Sequence, residues 1–226
     1  MLTFAHRGAS GTEPENTLRA IKAALEMGVD GIEIDIYEAD DKLFVIHDSW
    51  LHRTTTGKGK ISQQSVEYLQ SLDAGLGEKI PTLDQVLSLV AGKCIINIEL
   101  KGINNIDLLF YYLDNAIDNS RLMIDNILLS SFNHPLLYNI HQQRAEFPLG
   151  AVIACIPLEY AKFAQQLHVS SIHLNIDFIN QDFVDDAHKR DLKVFVYTVD
   201  EYDDIQAMKT LGVDGIFSNF PLRIKN

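Results

Sequence analysis

Eight short apolar runs alternate with helix-length segments along this chain, and that alternation constrains its fold more than any other feature. The runs lie at residues 2–6, 31–35, 94–100, 126–131, 149–154, 171–176, 193–199 and 215–218. Helical patterns fall between them at 15–27, 83–91, 105–118, 134–145, 157–167, 180–190 and 201–211. Parallel strands need such crossovers, so the pattern predicts an α/β fold, a single irregular (β/α)8 barrel of the TIM type spanning 1–226. Thr82 and Asn180 are placed to cap helices, and Pro135 and Pro157 suit first-turn positions.

A ninth apolar run, 43–47, follows the second strand after only a few residues around Asp40-Asp41. So short a link forces an antiparallel hairpin. With the turn centred on Asp40-Asp41, Asp35 pairs with Ile46 and Ile34 with His47, which returns His47 to the level of Glu33 and Asp35. Residues 49–80 break the strand–helix alternation, apart from a helical pattern near 64–72. They read as an insertion between the second strand and second helix, lying over the catalytic face.

Strand parity exposes the chemistry. In Gly31-Ile32-Glu33-Ile34-Asp35-Ile36 the isoleucines alternate with acids, so a strand turns Glu33 and Asp35 toward the barrel axis. Ile96-Asn97-Ile98-Glu99-Leu100-Lys101 repeats the pattern and sends Asn97, Glu99 and Lys101 inward. Buried carboxylates need basic partners, protons or a hard cation. Two readings stand: structural ion pairs with Arg7 and Lys101, or an oxygen-ligand site for Mg²⁺ or Ca²⁺. His6 closes the first strand ahead of Arg7-Gly8, a loop that lets backbone approach a phosphate, and Arg7 offers a planar phosphate clamp. His47 closes the hairpin, so two imidazoles flank one region and can share acid and base duties.

Other signals exclude alternatives. No G-x-S-x-G elbow and no H-E-x-x-H metal spacing occurs. Thr56-Gly57-Lys58-Gly59-Lys60 lacks the spacing of a nucleotide-binding loop and reads as a solvated turn. A net charge of −12 repels nucleic acid. Cys94 and Cys155 sit in apolar runs and are expected to be free, buried thiols. The N-terminus has no basic leader and no run reaches the length of a membrane span, so the protein is expected in the cytoplasm.

Taken in order, these residues resemble the glycerophosphodiester phosphodiesterases. The resemblance rests on His6-Arg7-Gly8, Pro14-Glu15-Asn16-Thr17, Glu33-Ile34-Asp35, Val45-Ile46-His47-Asp48, Arg53-Thr54-Thr55, Leu72-Asp73-Ala74-Gly75, Glu99-Leu100-Lys101 and Gly212-Val213-Asp214-Gly215. It implies an irregular (β/α)8 barrel that hydrolyses a small-molecule glycerophosphodiester to sn-glycerol 3-phosphate and an alcohol with a divalent cation. By position, Glu33, Asp35 and Glu99 match the metal ligands, His6 and His47 the acid/base pair, and Arg7 and Lys101 the phosphate contacts. Three departures stand out: a shortened segment at Leu76-Gly77-Glu78, His52 where aspartate is frequent, and Asn219 where aspartate is common before Pro221. Two other readings use the same barrel. One is a lysophospholipid or phosphoinositide phosphodiesterase, with Trp50, Leu51 and Leu76 at its mouth; the other is a silent barrel that binds a phosphorylated metabolite. Oligomeric state is left open.

Overall fold

A computed structural model describes residues 1–120 and 122–225. Its strands are β1 (Leu2–His6), β2 (Gly31–Ala39), β3 (Lys42–Val45), β4 (Ile95–Gly102), β5 (Ile127–Ser131), β6 (Leu149–Ile153), β7 (Ser171–Asn175), β8 (Lys193–Tyr197) and β9 (Gly215–Ser218). The helices are α1 (Leu18–Glu26), α2 (Val66–Ser71), α3 (Leu83–Val90), α4 (Ile106–Ser120), α5 (His134–Gln143), α6 (Gln181–His188), α7 (Tyr202–Leu211) and α8 (Leu222–Lys225). The sheet runs β1-β9-β8-β7-β6-β5-β4-β2, and β1 also pairs with β2, so eight parallel strands close into a barrel. β3 lies outside the closure as an antiparallel partner of β2.

The alternation of side chains produces two separate cores. Outward residues such as Ile32, Ile34, Ile96, Ile98, Leu129 and Ile172 pack against the helices in one large cluster. Inside the barrel, Phe4, Leu128, Phe195 and Phe217 form a smaller plug near the strand N-termini. The polar residues above it are therefore built on an apolar floor. A third cluster, including Phe44, Ile46, Leu51, Ile61, Leu69 and Ile80, lets residues 49–80 fold against the β2–β3 hairpin.

Helix starts follow their caps. The Thr17 hydroxyl accepts from Ala20 N at 3.2 Å, and the Asn180 side chain accepts from Phe183 N at 2.9 Å. Gln85 Oε1 accepts from Thr82 N at 3.0 Å, half of a reciprocal cap. Pro135 sits in the first turn of α5 as expected. Two expectations fail. Residues 157–167 do not form an α-helix that begins at Pro157; a 3-10 helix covers Tyr160–Leu167, and Pro157 precedes it. Cys155 is exposed, because β6 ends at Ile153 and the chain has already left the barrel; Cys94 is buried.

Candidate active site

Barrel register brings the inward acids to one place. His6 is the partner of Glu33 in the β1–β2 ladder, while Glu33 faces Asn97 and Asp35 faces Glu99 across β2–β4. One carboxylate oxygen from each of Glu33, Asp35 and Glu99 lies within 4.8 Å of the others. Glu33 and Asp35 are only 3% and 1% exposed. Burial, with the charges of Asp35 and Glu99, pushes the Glu33 carboxyl well above its ordinary range. Burial and Asp35 likewise raise Glu99. Like charges this close cannot all be held without compensation.

The chain supplies part of that compensation. Lys101 Nζ stands 2.6 Å from Glu99 Oε1 and 3.4 Å from Asp35 Oδ1, and Arg7 Nε stands 3.3 Å from Asp35 Oδ2. Burial pulls both cations down, but Asp35 and its neighbours prevail and hold both above their ordinary range. Compensation stays incomplete: Glu33 Oε1 and Asn97 Oδ1 are buried and have no hydrogen-bond partner. Orphaned oxygens beside three converging carboxylates fit a hard, oxygen-seeking divalent cation. The donor set thus favours a cation site over a purely structural ion-pair network.

The loop after β1 is shaped around this cluster. Arg7 adopts a left-handed backbone, φ 56°, and its N–H donates to Glu33 Oε2 at 2.9 Å. Gly8 follows at φ 77°, and a Cβ there would lie 2.7 Å from the Ala20 backbone. Only glycine lets α1 pack so close to the loop. His6 Nε2 stands 3.9 Å from Glu33 Oε2, and Nδ1 lies 2.8 Å from Asn219 Oδ1. Burial, reinforced by Arg7, lowers His6 to about 4 and favours a neutral ring.

The hairpin register matches the expectation: Ile36 pairs with Val45, and Ile46 N donates to Asp35 O at 3.0 Å. His47 leaves the ladder just beyond, with Nδ1 2.6 Å from Asp48 Oδ1. Arg53 holds the Asp48 carboxylate down at about 2. His47, Asp48, Tyr37, Trp50, Arg53 and Lys101 line an open cavity of ≈620 Å³. Lys101 reaches from this cavity to Glu99, while His6, Glu33, Asn97 and Glu99 share a small pocket of ≈20 Å³ above Phe217. Six of the seven residues read from the sequence are thus linked by contacts within 4 Å, and His47 joins through the cavity it shares with Lys101.

Some supporting residues escaped the parity argument because they sit on loops. Asn16 Nδ2 donates to Asp35 Oδ2 at 3.0 Å, and Glu15 accepts from both Arg7 and Arg53. Their position next to one another ahead of α1 was the available signal. Phe132 places its ring 5.6 Å from Lys101 Nζ. Of the proposed mouth residues, Trp50 and Leu76 are exposed, whereas Leu51 is fully buried in the satellite core.

Comparison with known proteins identifies the family. The model of the glycerophosphoryl diester phosphodiesterase family matches residues 6–223. A glycerophosphodiester phosphodiesterase of Caldanaerobacter subterraneus subsp. tengcongensis is 35% identical, covering 100% of this chain and 96% of its own length. One from Bacillus altitudinis is 34% identical over 97% of this chain and 95% of its own. Among solved structures, an Oleispira antarctica phosphodiesterase in complex with the product sn-glycerol-3-phosphate superposes with a TM-score of 0.90 at 27% identity, covering 100% of this chain and 95% of that one. With the match spanning nearly every residue and the acids, cations and imidazoles gathered at one end of a closed barrel, the chain belongs to the glycerophosphoryl diester phosphodiesterase family.

Proposed function

We propose that this chain hydrolyses glycerophosphodiesters to sn-glycerol 3-phosphate and an alcohol, with Glu33, Asp35 and Glu99 as cation ligands. His6 and His47 form the proton-transfer pair, and Arg7 and Lys101 contact the phosphate. The observation that carries the reading is the convergence of three carboxylates within 4.8 Å, those of Glu33 and Asp35 buried and that of Glu99 partly so, around a partnerless Glu33 oxygen. A divalent cation, Mg²⁺ or Ca²⁺, would supply Lewis-acid polarisation of a phosphoryl oxygen there.

The remaining steps belong to side chains. The guanidinium of Arg7 and the ammonium of Lys101 flank Asp35 from opposite sides, at 3.3 and 3.4 Å, and offset negative charge as P–O bonds rearrange. His6 and His47 each have Nδ1 engaged, by Asn219 and Asp48, which leaves each Nε2 for the reacting groups. One ring accepts the proton of the nucleophile and the other returns a proton to the departing alcohol. The cavity beside His47 has room for one arm of the diester. Residues 49–80 act as an insertion at the mouth of a single barrel domain, and the enzyme works in the cytoplasm on a small, soluble diester.

The test is release of glycerol 3-phosphate from a panel of glycerophosphodiesters with Mg²⁺, Ca²⁺ or EDTA, in wild type, His6→Ala and Glu33→Ala. Metal-dependent release lost in both folded variants is the expected result. Release from lysophosphatidylcholine alone would move the substrate to lysophospholipids, and no release from any diester would overturn the reading. Fractionation of the native host tests the compartment.

A further inference from the structure

Asn219 lies 213 residues from His6, yet its side-chain oxygen is 2.8 Å from His6 Nδ1. Which atom of the Asn219 amide faces His6 is decided by a third residue. Asp200 Oδ2 is 2.6 Å from Asn219 Nδ2, and Asp200 Oδ1 accepts from Asn219 N at 2.8 Å and from Ser218 Oγ at 2.9 Å. A carboxylate offers only acceptors, so the amide must turn its NH₂ to Asp200 and its oxygen to His6. The reverse orientation would press two oxygens together at 2.6 Å. Arg223 Nη1, which donates to Asp200 O at 2.8 Å, anchors the backbone of this pair. The Ser10 hydroxyl, 2.6 Å from His6 O and 2.7 Å from Asn219 Oδ1, closes the arrangement on the side of the loop after β1.

We infer that Asp200 and Asn219 are positioning residues that lock His6 in the Nδ1–H tautomer, keeping the Nε2 lone pair directed into the site. With an acceptor on Nδ1, the neutral ring must carry its proton there, and Nε2 becomes the free acceptor beside Glu33. The hydrogen-bond direction runs from His6 to Asn219 to Asp200, so a change at Asp200 acts on His6 without touching it. This rests on the assignment of His6 to proton transfer under the proposed function, but its physical claim concerns the tautomer.

Two substitutions that exchange the groups supply the test. In Asp200→Asn, the new amide keeps its oxygen toward Asn219 N and Ser218, and turns its NH₂ toward Asn219. Asn219 then flips, presents its own NH₂ to His6 Nδ1, and drives the imidazole proton to Nε2. In Asp200→Asn combined with Asn219→Asp, the amide donates to the new carboxylate, which again accepts from His6 Nδ1. ¹⁵N-histidine NMR of the Mg²⁺-supplemented protein at mildly alkaline pH reads the tautomer directly, and steady-state kinetics on glycerophosphocholine read the consequence. The expected result is Nδ1–H in wild type, Nε2–H in Asp200→Asn with kcat down on the order of 10²-fold and KM nearly constant, and both properties largely restored in the double variant.

An unchanged tautomer in Asp200→Asn, or a double variant that regains neither tautomer nor rate, would overturn the inference. The double variant also covers misfolding of the single one, since it rebuilds the hydrogen bonds. If wild type proves inactive on every diester, the functional reading fails while the NMR still decides the positioning claim. Normal wild-type turnover with no tautomer change sinks only the positioning claim.

Discussion

Arg53 and Glu15, 38 residues apart, form a two-pronged ion pair, Nη1 to Oε2 at 2.9 Å and Nη2 to Oε1 at 2.7 Å. The same guanidinium also binds Asp48 through Nε, and Glu15 also binds Arg7. One arginine in the 49–80 segment therefore joins the carboxylate behind His47 to the carboxylate behind Arg7. Arg53→Ala is expected to lower kcat/KM roughly ten- to a hundredfold by loosening both groups. Thermal unfolding should shift by only about 1 kcal/mol, because Arg53 and its carboxylate partners remain partly exposed to solvent. Arg53→Lys should recover little activity, since one ammonium cannot serve three oxygens as a planar fork does. Steady-state kinetics beside calorimetry will separate the two effects.

Cation binding should be visible as stability. A ligand that binds only the folded state at about 100 times its Kd adds about 2.7 kcal/mol to unfolding. Wild type should melt higher with Mg²⁺ or Ca²⁺ than with EDTA, and Glu33→Gln should lose most of that rise. In EDTA the same substitution should not destabilise the protein, because it removes a charge crowded by Asp35 and Glu99. A variant that unfolds earlier in EDTA would argue that Glu33 is a structural ion-pair member.

His173 stores acid lability. It is buried inside the barrel against Phe195 and Phe217, with the Ser171 hydroxyl 3.0 Å from Nε2. Burial lowers it from 6.5 to about 3. Below pH 6.5 the unfolded chain gains a proton there that the folded chain refuses until about pH 3, so stability falls as pH falls across that window. His173→Phe should flatten the decline by up to several kcal/mol, as read by urea unfolding at stepped pH. An unchanged slope would place the lability in other groups.

The two cysteines should differ sharply in reactivity. Cys155 is exposed after β6, whereas Cys94 is buried ahead of β4 with its thiol pushed up to about 11 by burial. A thiol reagent should label Cys155 rapidly in native protein and Cys94 only after denaturation. Mass spectrometry of the labelled peptides checks the assignment.

Period-two patterning is local, and it sufficed to turn Glu33, Asp35, Glu99 and Lys101 toward the axis and to set the β2–β3 register from the position of the Asp40-Asp41 turn. The same pattern told which residues pack outward against helices, since each strand carries that information within a few residues. It was silent where partners come from distant loops. Barrel closure through the β1–β2 and β1–β9 pairings brings the end of β9 beside the end of β1, and only then does Asn219 meet His6. The folding of residues 49–80 onto the hairpin is likewise what carries Arg53 to Glu15. Cys155 shows the limit from the other side: an apolar run does not state where its strand ends, and pairing with β5 and β7 stops β6 two residues short of it. Side-chain parity is a property of one strand and is legible in its residues; hydrogen bonds between loops depend on how all eight strands close, which only the tertiary structure decided.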